Sequence, residues 1–175
     1  MSVTYPLEIA QLGNPILRQL ATPLTPGQLK KYAPFFAALE KKMLEHNGVG
    51  IAAPQVSESV RAFIVASSPN PRYPNAPHMA PTLMINPELI WSSKETEKDW
   101  EGCLSIPGMR AKVSRHKKIE VRYTTIDGHE VKSHMEGFIA RIFQHELDHL
   151  NGIVFLDRAE KHDYATEAEF MKIIS

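Results

Sequence analysis

The sequence predicts an α+β fold in which mostly antiparallel strands pack around one central helix, with an N-terminal helix outside. Three observations support this prediction. Two segments of alternating apolar and polar residues flank Asp127-Gly128, a pair that strongly favours a hairpin turn. Residues 138–150 are apolar on most sides, which is typical of a buried helix. Residues 29–43 repeat apolar side chains at helical spacing, which indicates a second helix near the N-terminus.

The N-terminal helix is expected to begin at Thr25-Pro26, because threonine caps helices and proline is tolerated in the first turn. Its apolar stripe runs to His46. Pro34 lies inside that span and leaves two alternatives open. Either the helix is kinked at Pro34, or its true start moves to about Ala33.

The middle of the chain should contain strands separated by a long loop. Residues 62–66 form an apolar run that predicts a buried strand. Residues 67–81 hold five prolines and predict a loop, which we interpret as a surface insertion, with a lid or a recognition loop as the alternative. Two short strands are expected around Pro87, and the charged run 93–99 should be exposed.

The end of the chain should follow the central helix closely. Asn151-Gly152 is expected to close that helix, since glycine suits the left-handed position after a helix end. Residues 153–156 predict a short apolar strand or extended segment, and residues 166–174 predict a short final helix.

Composition predicts one domain, 1–175, working in the cytoplasm. The 175 residues are 43% hydrophobic and 23% charged, and 20 basic side chains balance 20 acidic ones. This balance argues against direct binding to nucleic acid or to a membrane surface. No apolar run approaches the length of a membrane span, and no signal or transit peptide is evident. The single cysteine, Cys103, fits a reducing compartment.

The pattern His145-Glu146-Leu147-Asp148-His149 predicts a metal site on the central helix. Residues four apart share a helix face, so His145 and His149 can present imidazoles to one ion. Glu146 is turned away from that point and can act as a general base beside the metal. The alternative is a solvated helix rich in polar residues, but apolar neighbours make burial the better interpretation.

Two more stretches could complete such a site. Cys103 is the candidate third ligand, because thiolate binds metals strongly, although a lone cysteine is more often a small buried apolar residue. Gln55 ends a stretch dense in small residues, and its side-chain amide could donate to an oxyanion. His116, His129 and His134 are expected to face solvent.

These stretches resemble the peptide deformylase family, which carries three motifs in this order. Residues 48–55 read G-V-G-I-A-A-P-Q, residues 101–105 read E-G-C-L-S, and residues 144–149 read Q-H-E-L-D-H. The resemblance extends from about Leu12 to Asp157 and is specific, because three separate motifs keep the family's order. It implies an enzyme that removes the N-formyl group from N-formylmethionyl peptides of nascent chains and releases formate.

The resemblance also implies a role for each matching residue. Cys103, His145 and His149 would bind one divalent metal ion, and Glu146 would be the general base. Gln55 and the backbone amide of Leu104 would hold the formyl oxygen. The substrate would contact Val49, Gly50, Glu101, Phe138, Arg141 and Ile142. The resemblance implies Fe(II), with Zn, Ni or Co able to substitute; the ligand set alone fits Zn equally well.

Two features depart from the best-known bacterial members, and two other functions remain open. The loop at residues 67–81 is longer, and the tail after Asp157 is short, which makes docking on ribosomes doubtful. A zincin-type protease would share the histidine pattern, and a metal-binding protein without turnover would share the ligands. Intact Glu146 and Gln55 argue against the second alternative.

Overall fold

The computed structural model describes residues 6–175, and they form two antiparallel sheets with a helix between them. The α+β prediction is therefore confirmed. The five-stranded sheet has the order β1-β2-β3-β6-β7, and the three-stranded sheet has the order β4-β5-β8. These strands are β1 (Gly50–Ala52), β2 (Ala62–Ser67), β3 (Met79–Ser92), β4 (Thr96–Cys103), β5 (Ile106–His116), β6 (Lys118–Thr124), β7 (Glu130–Glu136) and β8 (Tyr164–Thr166). The helices are α1 (Leu29–Glu45), α2 (Gly137–Leu150) and α3 (Glu167–Ile174).

Helix α1 packs on the outside of the five-stranded sheet, as the sequence predicts. A 3-10 turn at Pro26–Gln28 precedes it, capped at Thr25. The helix then continues through Pro34 to Glu45, so the alternative start near Ala33 is wrong. Its buried side chains are Leu29, Phe35, Phe36, Leu39 and Met43. Packing of this apolar face offsets the weaker hydrogen bonding that proline imposes on a helix interior.

Strand β3 corrects the prediction of two short strands around Pro87. It is one strand of 14 residues that begins before Pro81 and pairs with β2 along its first half and with β6 along its second. The ladder to β6 changes register between Ile85 and Glu88, and Asn86 there has a φ of 47°. Pro87 lies within this bulge, where a missing N–H does not break a regular ladder.

The β4–β5 hairpin was not predicted from the sequence. Residues 93–99 are largely exposed, as expected, but from Thr96 they form the start of β4. Strand β5 carries two buried arginines, Arg110 and Arg115, which point to opposite faces of the strand. Those charged residues hide the alternation of apolar and polar residues by which a half-buried strand is normally recognised.

The other sequence predictions agree with the structure apart from one segment. The 62–66 strand and the hairpin at Asp127-Gly128 are confirmed. The final helix is also confirmed, with Thr166 as its cap. The segment 153–156 is not a strand, since its second half forms a 3-10 turn at Phe155–Asp157. The expected lack of a targeting segment concerns residues 1–5, which lie outside the described residues.

Helix α2 lies between the two sheets and contacts both. It packs against β1 and β2 on one side and against β5 on the other. Ten of its 14 residues are buried, including both histidines of the metal-site pattern. Among residues 6–175, no helix is long and apolar enough to cross a membrane.

We expect Gly152→Ala to destabilise the fold. Gly152 ends α2 with a φ of 71°, and an added Cβ would lie 2.6 Å from the carbonyl oxygen of Arg18. A left-handed non-glycine residue with such a contact costs about 2 kcal/mol, which should lower the melting temperature by roughly 4–8 °C. Gly27→Ala is the control, because its Cβ would meet no atom of the described residues within 4 Å. Equal melting temperatures of the two variants would contradict this expectation.

Candidate active site

One face of α2 carries the two histidines and the glutamate of the metal-site pattern. His145 and His149 lie one turn apart, with ring centroids 5.1 Å from each other. Both are buried, as is Glu146 between them in sequence. The helix therefore places two nitrogen ligands and one carboxylate in a region from which bulk water is largely excluded.

The thiol of Cys103 reaches the same place from the end of β4. Its Sγ lies 3.2 Å from His149 Nε2. Ligand atoms of Cys103, His145 and His149 all lie within 4.8 Å of one another. Cys103 is half-buried and contacts polar groups, so the interpretation as a small buried apolar residue does not fit its surroundings.

Gln55 is fixed at the opposite side of the thiol. Its Oε1 accepts a hydrogen bond from Ala52 N at 2.8 Å, which sets the orientation of the amide. Its Nε2 then points into the site, where it donates to Cys103 Sγ at 3.3 Å and to Ser105 Oγ at 3.1 Å. The side chain is 1% exposed, so this donor is held rigidly beside the sulfur.

Glu101 orients the ring of His145 through the ring nitrogen that faces away from Cys103. Its Oε2 lies 2.9 Å from His145 Nδ1, so the ring donates there and turns Nε2 toward Cys103. Arg115 donates to both Glu101 oxygens, at 2.8 and 3.0 Å. Burial alone would raise the pKa of Glu101, but hydrogen bonds from His145 and Arg115 hold that pKa far below its usual range. Glu101 therefore stays ionised and fixes the ligand nitrogen.

Glu146 has the environment of a proton acceptor. Burial raises the pKa of its carboxyl group to about 7. Within residues 6–175, its buried Oε2 has no hydrogen-bond partner, which leaves that oxygen to a water or a substrate. Gly50 makes room for the Glu146 carboxylate, because a Cβ at position 50 would lie 2.4 Å from Glu146 Oε1. This contact gives a steric reason for a small residue at position 50 of the first motif.

One pocket brings nearly all predicted site residues together; its volume is about 590 Å³ when the open solvent at its mouth is included. Its walls include Val49, Gly50, Gln55, Glu101, Cys103, Leu104, Phe138, Arg141, Ile142, His145 and Glu146. His149 lies behind this wall. Glu101 and Arg141, expected beside the substrate, direct their polar atoms into the protein instead: Arg141 donates to Glu101 at 3.0 Å and to the carbonyl of Val113 at 2.7 Å.

The sequence did not reveal several residues that shape the site. Arg115 contacts Glu101 and does not stand out by residue type or spacing, while Ser105 belongs to the second motif, where no role was predicted for it, and contacts Gln55. Tyr73 lies in the proline-rich loop, with its ring centroid 4.7 Å from that of Phe138. The interpretation of this loop as a plain surface insertion is therefore wrong. His129 and His134 are exposed, as expected, whereas His116 is half-buried and bonded to Ser93 O at 2.7 Å.

The donor set fits a divalent transition metal. One thiol and two imidazoles are soft and borderline ligands, which suit Fe(II) or Zn(II) better than Mg(II) or Ca(II). Burial lowers the pKa of His149, and a neutral imidazole is the form that binds a metal. The pKa of His145 is raised, because its hydrogen bonds to Cys103 and Glu101 outweigh its burial, so a metal would have to displace a proton there. Three such donors would leave a tetrahedral ion one open position, as in known catalytic sites.

Comparisons with known proteins agree with this geometry. Residues 6–164 match the family described as polypeptide deformylase. A protein named peptide deformylase 2 from a Nostoc species is 49% identical over 170 residues, covering 97% of this chain and 95% of its own. A second relative of that name, from Shewanella oneidensis, is 47% identical over 157 residues, covering 89% and 85%.

Solved structures agree as well. A Met-Ala-Ser-bound class I type b peptide deformylase from Acinetobacter baumannii superposes with a TM-score of 0.86 at 48% identity, covering 90% of this chain and 99% of its own. A peptide deformylase from Thermotoga maritima gives 0.79 at 36% identity, covering the same shares. This chain thus belongs to the peptide deformylase family, the metal-dependent hydrolases that remove the formyl group from N-formylmethionyl peptides during N-terminal processing.

Proposed function

We propose that this chain performs the deformylase reaction with Cys103, His145 and His149 as ligands of one divalent metal ion. Glu146 is the general base, and Gln55 with the backbone amide of Leu104 holds the formyl oxygen. The observation that supports this assignment most strongly is spatial. Three candidate ligand atoms lie within 4.8 Å of one another, two of them in the pocket that also holds the Glu146 carboxylate and the Gln55 amide, and the third, from His149, just behind its wall.

Fe(II) is the metal we propose for this site. When bound, the ion would supply Lewis acidity toward a water and toward the formyl carbonyl. The thiolate and the two imidazoles would also accept Zn, Ni or Co, because such ligands bind all of these ions and selection among them depends on geometry and metal availability rather than raw affinity. Glu101 would contribute by keeping the ring of His145 in the orientation that a ligand needs.

The protein's own groups then account for the proton movements. Glu146 accepts a proton from the water whose oxygen attacks the formyl carbon, and its raised pKa suits this exchange near neutral pH. Gln55 Nε2 donates to the oxyanion that develops on the formyl oxygen. Glu146 returns the proton to the nitrogen as the carbon–nitrogen bond breaks. The products are formate and a peptide with a free amine.

The substrate backbone has a place along β1. That strand is an edge of the five-stranded sheet, and Val49 O accepts from Ala66 N of β2. Since neighbouring residues alternate, the N–H and C=O groups of Gly50 point away from β2 and toward the pocket. An extended peptide can therefore add to this edge, with its first side chain near Phe138 and Ile142.

Other features of the proposal concern the setting of the reaction. We propose one catalytic domain for the whole chain, 1–175, that works in the cytoplasm on the formylmethionyl ends of nascent chains. Direct contact with nucleic acid or a membrane is not part of the proposal. Helix α3 packs on the catalytic domain through Glu167 and Phe170, which does not favour a role of the tail in docking on ribosomes.

Formate release from formyl-Met-Ala-Ser by anaerobically prepared protein tests the proposed function and the metal together. We expect turnover by iron-loaded protein that decays in air, because a thiolate-ligated ferrous ion with an open position is exposed to oxidation. Nickel-loaded protein should retain its activity in air. Acetyl-Met-Ala-Ser should not be cleaved; cleavage inside that peptide would instead indicate a zincin-type protease. Iron-loaded protein with equal half-lives in air and without oxygen would contradict the choice of metal.

We expect Glu146→Gln to keep the metal and the fold but to lose most turnover. Glutamine preserves the size of the buried side chain and removes the proton acceptor, which should lower kcat about 10²–10⁴-fold. Steady-state formate release and metal content should be measured on one preparation. The control is Glu169→Gln, an exposed residue of α3 that pairs with Lys172. A variant that keeps more than about a tenth of the wild-type rate would exclude Glu146 as the general base.

We expect Gln55→Leu to lower kcat more than it raises KM. The donor acts mainly on the developing oxyanion, and losing one such donor commonly costs about 10²–10³ in rate. Leucine is close to glutamine in size, so the metal content should change little, but the buried amide of Ala52 loses its acceptor, which should lower the melting temperature by several degrees. Ser105→Ala, which removes only the other partner of Nε2, is the control for the hydrogen-bond network. An unchanged kcat with a raised KM would limit Gln55 to binding the ground-state substrate.

A further inference from the structure

The proline-rich loop presents one aromatic side chain to the active-site pocket. A tight turn at Asn70–Tyr73 has backbone hydrogen bonds in both directions, at 3.2 and 3.0 Å. The Asn70 side chain adds two more, accepting from the amides of Arg72 and Tyr73 at 3.0 and 3.1 Å. The turn is thus held by its own polar groups, and it places the ring of Tyr73 against Phe138 in the pocket wall.

Arg110 holds the other end of Tyr73. Its Nη1 donates to the tyrosine hydroxyl at 2.8 Å, and the arginine is only 3% exposed. Its guanidinium lies against the Cα of Gly102, where an added Cβ would be 2.2 Å from Nη1. The glycine of the second motif therefore leaves space for this arginine, which forms part of the pocket wall itself.

Helix α3 completes the arrangement. Glu167 accepts from Arg110 Nε at 2.5 Å and from Nη2 at 3.2 Å, a paired contact that fixes the plane of the guanidinium. The ring of Phe170 lies below that plane, with its centroid 4.9 Å from Arg110 Cζ. The match to the family description ends at residue 164, so both α3 residues lie outside the matched segment. Helix α3 thus contacts two residues of the pocket wall, Arg110 through Glu167 and Phe170, and Trp100 through Phe170.

We infer that Tyr73 is a specificity-determining residue whose ring forms the wall of the pocket for the first side chain of the substrate. Glu167 is a positioning residue that acts on Tyr73 through Arg110. The inference rests on the proposed function, since it assigns this pocket to the side chain that follows the formyl group. Two aromatic rings, Tyr73 and Phe138, suit an unbranched thioether, because sulfur packs favourably near ring edges. A side chain too short to reach the rings gains nothing from them.

A comparison of two substrates tests this inference. Formyl-Met-Ala-Ser carries a long first side chain, whereas formyl-Ala-Ala-Ser carries one that cannot reach Tyr73. For Tyr73→Ala we expect the preference for the methionine peptide, as a ratio of kcat/KM values, to fall roughly tenfold. The loss should come mainly from KM of the methionine peptide. Tyr73→Phe keeps the ring but removes the hydroxyl that Arg110 holds, so its preference should fall at least as far as that of Glu167→Gln and less far than that of Tyr73→Ala.

Glu167→Gln should lower the same preference, by less than Tyr73→Ala does, because a neutral amide holds the guanidinium more weakly. Glu169→Gln changes the charge of α3 equally without touching Arg110, and should leave the preference as in the wild type. Equal losses on both peptides in Tyr73→Ala would assign Tyr73 to the fold alone and overturn the inference. An unchanged preference for the methionine peptide in Tyr73→Ala would also overturn the inference. A wild type that releases formate from neither peptide would instead refute the proposed function itself.

Discussion

The buried carboxylate of Glu101 is the interaction on which the rest of the site depends. It joins three elements at one point, since Glu101 belongs to β4, Arg115 to β5 and His145 to α2. Removing an ionised carboxylate from water costs several kcal/mol unless hydrogen bonds and opposite charge compensate. Here Glu101 is 3% exposed, and its partners lie at 2.8–3.0 Å. Packing of the three-stranded sheet against α2 brings these partners to the charge.

Arg115 also extends this network to Asp148, a buried carboxylate of α2. Arg115 Nη1 donates to Asp148 at 2.6 Å, and Arg158 donates to both oxygens of Asp148 at 2.7 Å. One arginine thus bridges carboxylates on two elements, and breaking such a buried pair typically costs about 3–5 kcal/mol. The network fixes α2 in rotation and in depth. Because both imidazoles lie on that helix, their positions also depend on Arg115, Asp148 and Arg158, which do not line the pocket.

Two glycines allow the charged groups to approach the backbone closely. At Gly50 any side chain would meet the Glu146 carboxylate, and at Gly102 it would meet the guanidinium of Arg110. These contacts explain why small residues stand in the first two motifs. They also link the site to its surroundings: Gly50 lies on the free edge of β1, and Arg110 connects the pocket with the proline-rich loop and α3. The chemistry and the selectivity of the pocket therefore have separate structural supports.

The sequence alone determined the features that depend on neighbours in the chain. Helical periodicity predicted α1 and α2, the four-residue spacing put both histidines on one face, and Asp127-Gly128 predicted its hairpin. The tertiary structure decided which distant residues meet. Cys103 lies beside His149 although they are 46 positions apart, and Tyr73 joins the pocket from a loop whose prolines predict no contact with α2. The β4–β5 hairpin escaped prediction for the same physical reason. Its buried arginines are stable only with carboxylates from other elements, and local sequence patterns contain no information about such partners.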